Sequence, residues 1–211
     1  MGELTGISGA KTIMEVYLIM EDRASIISRV CDLISMDDRA GASSAILNHY
    51  PFQSISKISG GFTNKQKTEV FVEDGFIDRY RGTRLIYPPV LYLISTILPN
   101  QFPSHPNWKM SESHIAFWEL FPTVDHLVPR ARGGSHDKSN WVTCSMLTNS
   151  AKDHWTLDEL GWELHEKGDF SNWDGLLNWF VREMQKDEIR EIAPQYCLQW
   201  VKVAKPYATI S

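Results

Sequence analysis

A chain of 211 residues, 43% hydrophobic and 11% aromatic, can bury one sizeable core, alone or with a small appendage. That composition excludes a disordered, collagen-like or low-complexity protein. The net charge is −5, from 21 Lys+Arg against 26 Asp+Glu. This excludes a histone-like binder held by bulk charge, but not a nucleic-acid partner held by a local field.

Charge is uneven along the chain. Residues 57–154 carry 11 basic and 9 acidic side chains and are the only part with a positive balance. Residues 12–36 read as a helix: Val16, Ile19, Ile27, Val30 and Ile34 recur near helical spacing, without Gly or Pro. Asp37-Asp38 starts a second, short helix through Ala45, Ile46 and Leu47, which ends before Pro51. Residues 53–68 are polar, with a Gly-Gly pair and three lysines, and read as loop. Val70 to Tyr87 looks like short strands with turns at Asp74-Gly75 and Arg81-Gly82. Pro88-Pro89 opens a helix that Pro99 stops, and 99–123 is an irregular stretch packed by aromatics. After residue 154 the pattern is helical again, starting from the capping box Thr156…Glu159. Trp162, Trp173, Trp179 and Trp200 supply packing surface there.

The division expected from this is an N-terminal helical region (1–56), a linker or loop (57–74), a central domain (75–165) and a C-terminal helical extension packed on it (166–211). The acidic N-terminal helices offer a surface for a second copy or a protein partner. Cys31, Cys144 and Cys197 form no C-x-x-C pair and read as free thiols of a reducing compartment. No apolar run reaches the roughly 18 residues of a membrane span. The first six residues lack the basic and apolar regions of a secretory leader, so a cytoplasmic location is expected.

The chemistry concentrates between Thr123 and Lys152. Phe121 and Val124 mark a strand with Asp125 and His126 near its end. Pro129 stops pairing, Gly133-Gly134 gives a turn, and Asn140-Trp-Val-Thr returns as a second strand. A helix through Lys152 then carries Asn149 near its start. Asp125 and Asn149 offer oxygen ligands to a hard divalent ion, and a neutral His126 can take a proton from water. Adjacent residues on a regular strand face opposite ways, so gathering all three needs a bulge or a strand end.

This pattern, D-H-x-x-P, then G-G, Asn140, and N-x-x-K from Asn149 to Lys152, resembles the HNH endonucleases, or ββα-metal nucleases. The resemblance covers about 30 residues and extends more loosely from Gly75 to Trp162, where it is similar to stand-alone bacterial HNH proteins. It implies an α+β fold, a mostly helical chain around a small ββα-metal core, cutting DNA with one Mg²⁺ or Mn²⁺. It implies His126 as general base, Asp125 and Asn149 as metal ligands, Asn140 as a clasp on the loop, and Lys152 facing phosphate. Arg130 and Arg132 beside the loop, with Arg79 and Arg81 upstream, are candidate DNA contacts. Many family members carry two cysteine pairs for a structural zinc. Here Ser145 and Thr148 stand at one pair, and Asp78–Gly82 resembles the other without its cysteines. No structural zinc is expected, and rigidity is assigned to the aromatic stretch and the Trp-rich C-terminus. A non-cleaving nucleic-acid-binding module and a nuclease acting on RNA remain the alternatives.

Overall fold

The computed structural model describes residues 23–52 and 61–209. It is α+β, about half helical, with one two-stranded antiparallel sheet among the described residues. None of the described helices is long and apolar enough to cross a membrane. The chain divides into two compact units, residues 1–55 and 56–211.

In the first unit, α1 (Arg23–Ser35) and α2 (Arg39–His49) pack on each other. Asp38 caps α2, its carboxylate accepting from the Gly41 amide at 2.8 Å. Ile26, Ala42 and Ala45 are buried. The expected first helix is described only from residue 23; its part 12–22 lies outside the described residues.

The second unit begins differently from the loop expected over 53–68. Its described part of the expected linker holds a helix, α3 (Asn64–Glu73). A capping box starts it: Thr63 Oγ1 accepts from the Gln66 amide, and Gln66 Oε1 accepts from the Thr63 amide at 2.9 Å. Thr68, Val70 and Phe71 form its buried face. In the sequence this face is hidden, because its few apolar positions are interleaved with Asn64, Lys65, Gln66 and Lys67. The strands expected over 70–87 reduce to a single bridge, Ile77 to Arg84. Both expected turns are present, with Gly75 and Gly82 at positive φ.

Next come α4 (Pro88–Ile97), a short α5 (Ala116–Glu119), strand β1 (Pro122–His126), strand β2 (Trp141–Ser145) and α6 (Met146–Lys152). Short helix α7 (Leu157–Leu160) carries the expected capping box. Helices α8 (Leu177–Glu183), α9 (Asp187–Ile192) and α10 (Gln195–Ala204) complete the unit. The main core joins Val70 and Phe71 of α3, Phe76, Tyr87, Val90 and Leu93, Val124 of β1, and Leu177, Phe180, Cys197 and Trp200. The C-terminal helices therefore build the core itself; they are no layer added to a finished domain. The reason is size: two five-residue strands bury too little alone and need helices on one face.

Rigidity near the sheet comes from two buried carboxylates, a source not anticipated from the aromatic content. Asp74 accepts from the Thr143 amide at 2.8 Å and binds Arg79 at 2.8 Å. Asp78 accepts from the Ser145 amide (3.0 Å), Thr148 Oγ1 (2.7 Å) and the Tyr80 amide (3.0 Å). They latch the 74–82 turn to β2 and to the start of α6. Replacing Asp78 by Ala strands three buried donors, each worth about 1–3 kcal/mol. Denaturant melts of Asp78→Ala should show a loss of roughly 3–5 kcal/mol; a loss below about 1 kcal/mol would show that the latch is incidental.

Candidate functional site

β1 pairs with β2 in regular register, Asp125 opposite Val142 and His126 opposite Trp141. Side chains therefore alternate. Thr123 and Asp125 share a face with Val142 and Cys144; Val124 and His126 share the other with Trp141 and Thr143. Asp125 turns to α6, while the His126 ring leaves on the side of Phe62, Trp141 and His136.

The Asp125 carboxylate is held by two donors on one oxygen. Tyr80 Oη donates to Oδ2 at 2.7 Å, and Lys152 Nζ lies 2.8 Å from the same atom. Lys152 also donates to the His126 carbonyl at 2.9 Å. Burial, then the Asp125 charge, pushes the Tyr80 phenol far above its usual range, so it remains a donor. Oδ1 of Asp125 is left without a hydrogen-bond partner among the described residues.

Asn149, in the middle of α6, donates from Nδ2 to Thr123 Oγ1 at 3.0 Å. Thr123 passes its own proton to the Cys144 carbonyl at 3.1 Å. The Asn149 carbonyl oxygen is thereby the free end of the amide. Asn140 is buried and clasps the loop that follows His126. Its Oδ1 accepts from the Val128 amide (2.8 Å), and its Nδ2 donates to the carbonyls of Val128 (2.9 Å) and Ser135 (2.8 Å). Gly134 is required there: a Cβ would collide with the Val128 carbonyl. Gly133 turns the loop at φ +86°.

His126 Nε2 lies 2.9 Å from His136 Nδ1, so the two rings share one proton between them. Burial lowers the His126 pKa from its ordinary value. His136, Arg130 and Lys152 push it the same way, and Asp125 opposes them. His126 is thus neutral at pH 7.

Two sequence-based roles change, those of Lys152 and Arg79. Lys152 cannot face phosphate, because its side chain is 0% exposed beneath β1. Asn149 and Lys152 lie three apart on α6, so both turn toward β1. Arg79 is no DNA contact: its side chain is 11% exposed, paired with Asp74, and donates to the His165 carbonyl at 2.7 Å. Arg132 is paired with Glu159 at 3.3 Å and lies over the Trp155 ring. Arg81 is exposed, and Arg130 is half-buried and near enough to His126 to act on its pKa. Tyr80, Thr123, Asp78 and His136 enter the site without having been singled out for these roles.

Among the described residues, no group of three or more His, Cys, Asp or Glu side chains is placed to hold a metal. The donor set that is present, one free oxygen each on Asp125 and Asn149, suits a hard cation that keeps water and phosphate oxygens as its other ligands. Searches of protein-family models, of curated proteins and of solved structures return no match to this chain.

Two outcomes are expected. Lys152→Met breaks a buried ion pair and should cost about 3–5 kcal/mol in a chemical melt, where loss of a phosphate contact would cost almost nothing. His136→Ala removes charge and covering atoms from His126, so the His126 pKa should rise toward 6.5 in an NMR titration. A fall, or no movement, would show that the two rings are not coupled.

Proposed function

We propose that this chain is a metal-dependent endonuclease of the HNH type, hydrolysing phosphodiester bonds in DNA. The observation that carries the reading is the placement of Asp125 and His126 at the end of β1, with one uncommitted oxygen each on Asp125 and Asn149 and the His126 ring leaving on the other face of the strand. The β1–loop–β2–α6 order supports it, as does the Asn140 clasp, which plays the part the resemblance assigns to it.

When His126 Nε2–H donates to His136, the lone pair lies on Nδ1, ready to take the proton of an attacking water. Asp125 Oδ1 and Asn149 Oδ1 would hold Mg²⁺ or Mn²⁺, which when bound polarises the phosphate and stabilises the leaving oxygen. Lys152 offsets the charge of Asp125, so the pair carries little net charge and a divalent ion would be held well only once phosphate oxygens complete its shell. Arg130 puts a cation at the loop where the scissile strand would lie.

Supercoiled plasmid with Mg²⁺ or Mn²⁺ is the test, read as nicked and linear product. His126→Ala should lower the rate by roughly 10²–10⁴-fold with little change in DNA affinity. Asn149→Ala should raise the metal concentration required. The neutral imidazole is the active form and its pKa is depressed, so the rate should fall only as pH drops below 6.5. Near wild-type cleavage by a clean His126→Ala preparation would falsify this reading.

A further inference from the structure

A second cavity adjoins the candidate site. It has a volume of about 410 Å³, within the range of small-molecule pockets. Phe62, Tyr92, Trp108, Phe121, Tyr196 and Trp200 line it. Among the described lining residues Lys67 alone is charged. Pro122, Thr123 and Val124 of β1 form one wall. From Thr123 to His126 is three residues, about 10 Å along the strand. Phe62, at this cavity, also contacts the His126 ring, with centroids 5.3 Å apart.

Two features are unexplained by folding. The Lys67 ammonium is more than half buried, without a carboxylate partner among the described residues, and burial lowers its pKa. The Trp200 indole N–H is buried and lacks a well-formed hydrogen bond, with the Tyr196 hydroxyl close enough for the two to act on each other. A buried cation without a counter-ion and a buried donor without a well-placed acceptor each cost stability. Aromatic faces, one cation and one N–H donor match an aromatic ring with acceptor heteroatoms joined to an anion.

We propose that this cavity is a nucleotide pocket: a base stacks among the aromatics and its phosphate meets Lys67. The inference rests on the nuclease reading for its biological sense, since the base then belongs to a nucleotide of the cut strand, unstacked from its neighbours beside His126. The site would accordingly favour single-stranded, frayed or mismatched DNA, where a base is extruded at least cost. The binding step itself needs neither metal nor catalysis.

Calorimetric titration of the whole chain with deoxyadenosine monophosphate, deoxyadenosine and inorganic phosphate tests this, with Trp fluorescence as a second readout. Saturable monophosphate binding is expected, tighter than that of either fragment. Lys67→Met leaves the core aromatics in place. It should weaken the monophosphate by at least about fivefold and leave the nucleoside unchanged. Trp108→Leu should weaken both, by roughly 5- to 100-fold, the range seen when a stacking aromatic is lost. Lack of saturable monophosphate binding by wild type overturns the pocket. So does a Lys67→Met titration that matches wild type, or phosphate alone binding as tightly as the nucleotide. Intact nucleotide binding in a chain that cuts no DNA overturns the nuclease reading and leaves the pocket standing; cleavage without nucleotide binding does the reverse.

Discussion

The Lys152–Asp125 ion pair organises everything around it. A fully buried ammonium is tolerable only when its protons find strong acceptors, and Lys152 has the Asp125 carboxylate and the His126 carbonyl. Those two bonds fasten the end of α6 to the last two residues of β1. They fix where Asn149, one turn earlier, meets Thr123. They also take up one oxygen of Asp125 and leave the other uncommitted, so one interaction serves stability and leaves an acceptor free. Tyr80 is the third partner, and its ring lies under the ammonium, 5.7 Å from Nζ.

The second support is the pair of carboxylates Asp74 and Asp78. These two acids accept backbone and hydroxyl protons from β2 and the start of α6. Ser145 and Thr148 are the residues of that segment that Asp78 holds. Such a latch is directional, because each bond is set by a lone pair and a fixed N–H or O–H. The Arg79–Asp74 pair shows why a sequence reading gives the arginine the wrong role. In sequence, Arg79 and Arg81 alternate beside Tyr80 like a solvated basic strip; in the fold, Arg79 balances the charge that Asp74 needs to grip β2.

What could be read in advance follows from how local the cause is. The Asp38 cap, the Thr156–Glu159 box, the Pro88 start and the Gly75 and Gly82 turns all depend on residues within a few positions, and each is where the sequence puts it. The role of Asn140 came only from the resemblance, and its side chain does both donate to and accept from the loop backbone. The helix at Asn64–Glu73 was not, because its apolar face is short and set among lysines and it is secured by contacts with β1, β2 and α10. The inward turn of Lys152 could have been inferred: Asn149 and Lys152 share a helix face, so if one meets β1 the other must. The role of His136 had no local signal, since its contact with His126 spans a ten-residue loop.

Charge pairing bears on how such a site would hold DNA. The middle of the chain has a small positive balance, and several of its basic side chains are tied to acids: Lys152 to Asp125, Arg79 to Asp74, Lys138 to Glu73, Arg132 to Glu159. The field left to attract a phosphate backbone is correspondingly small, and few counterions would be released on binding. On the nuclease reading proposed above, such a site would gain little from long-range steering. Its grip has to come at short range, from oxygens shared between metal and phosphate and from rings that stack on bases. That is the combination found along β1, where the Asp125–Asn149 oxygens lie beyond one end of an aromatic cavity whose only charge among its described lining residues is Lys67.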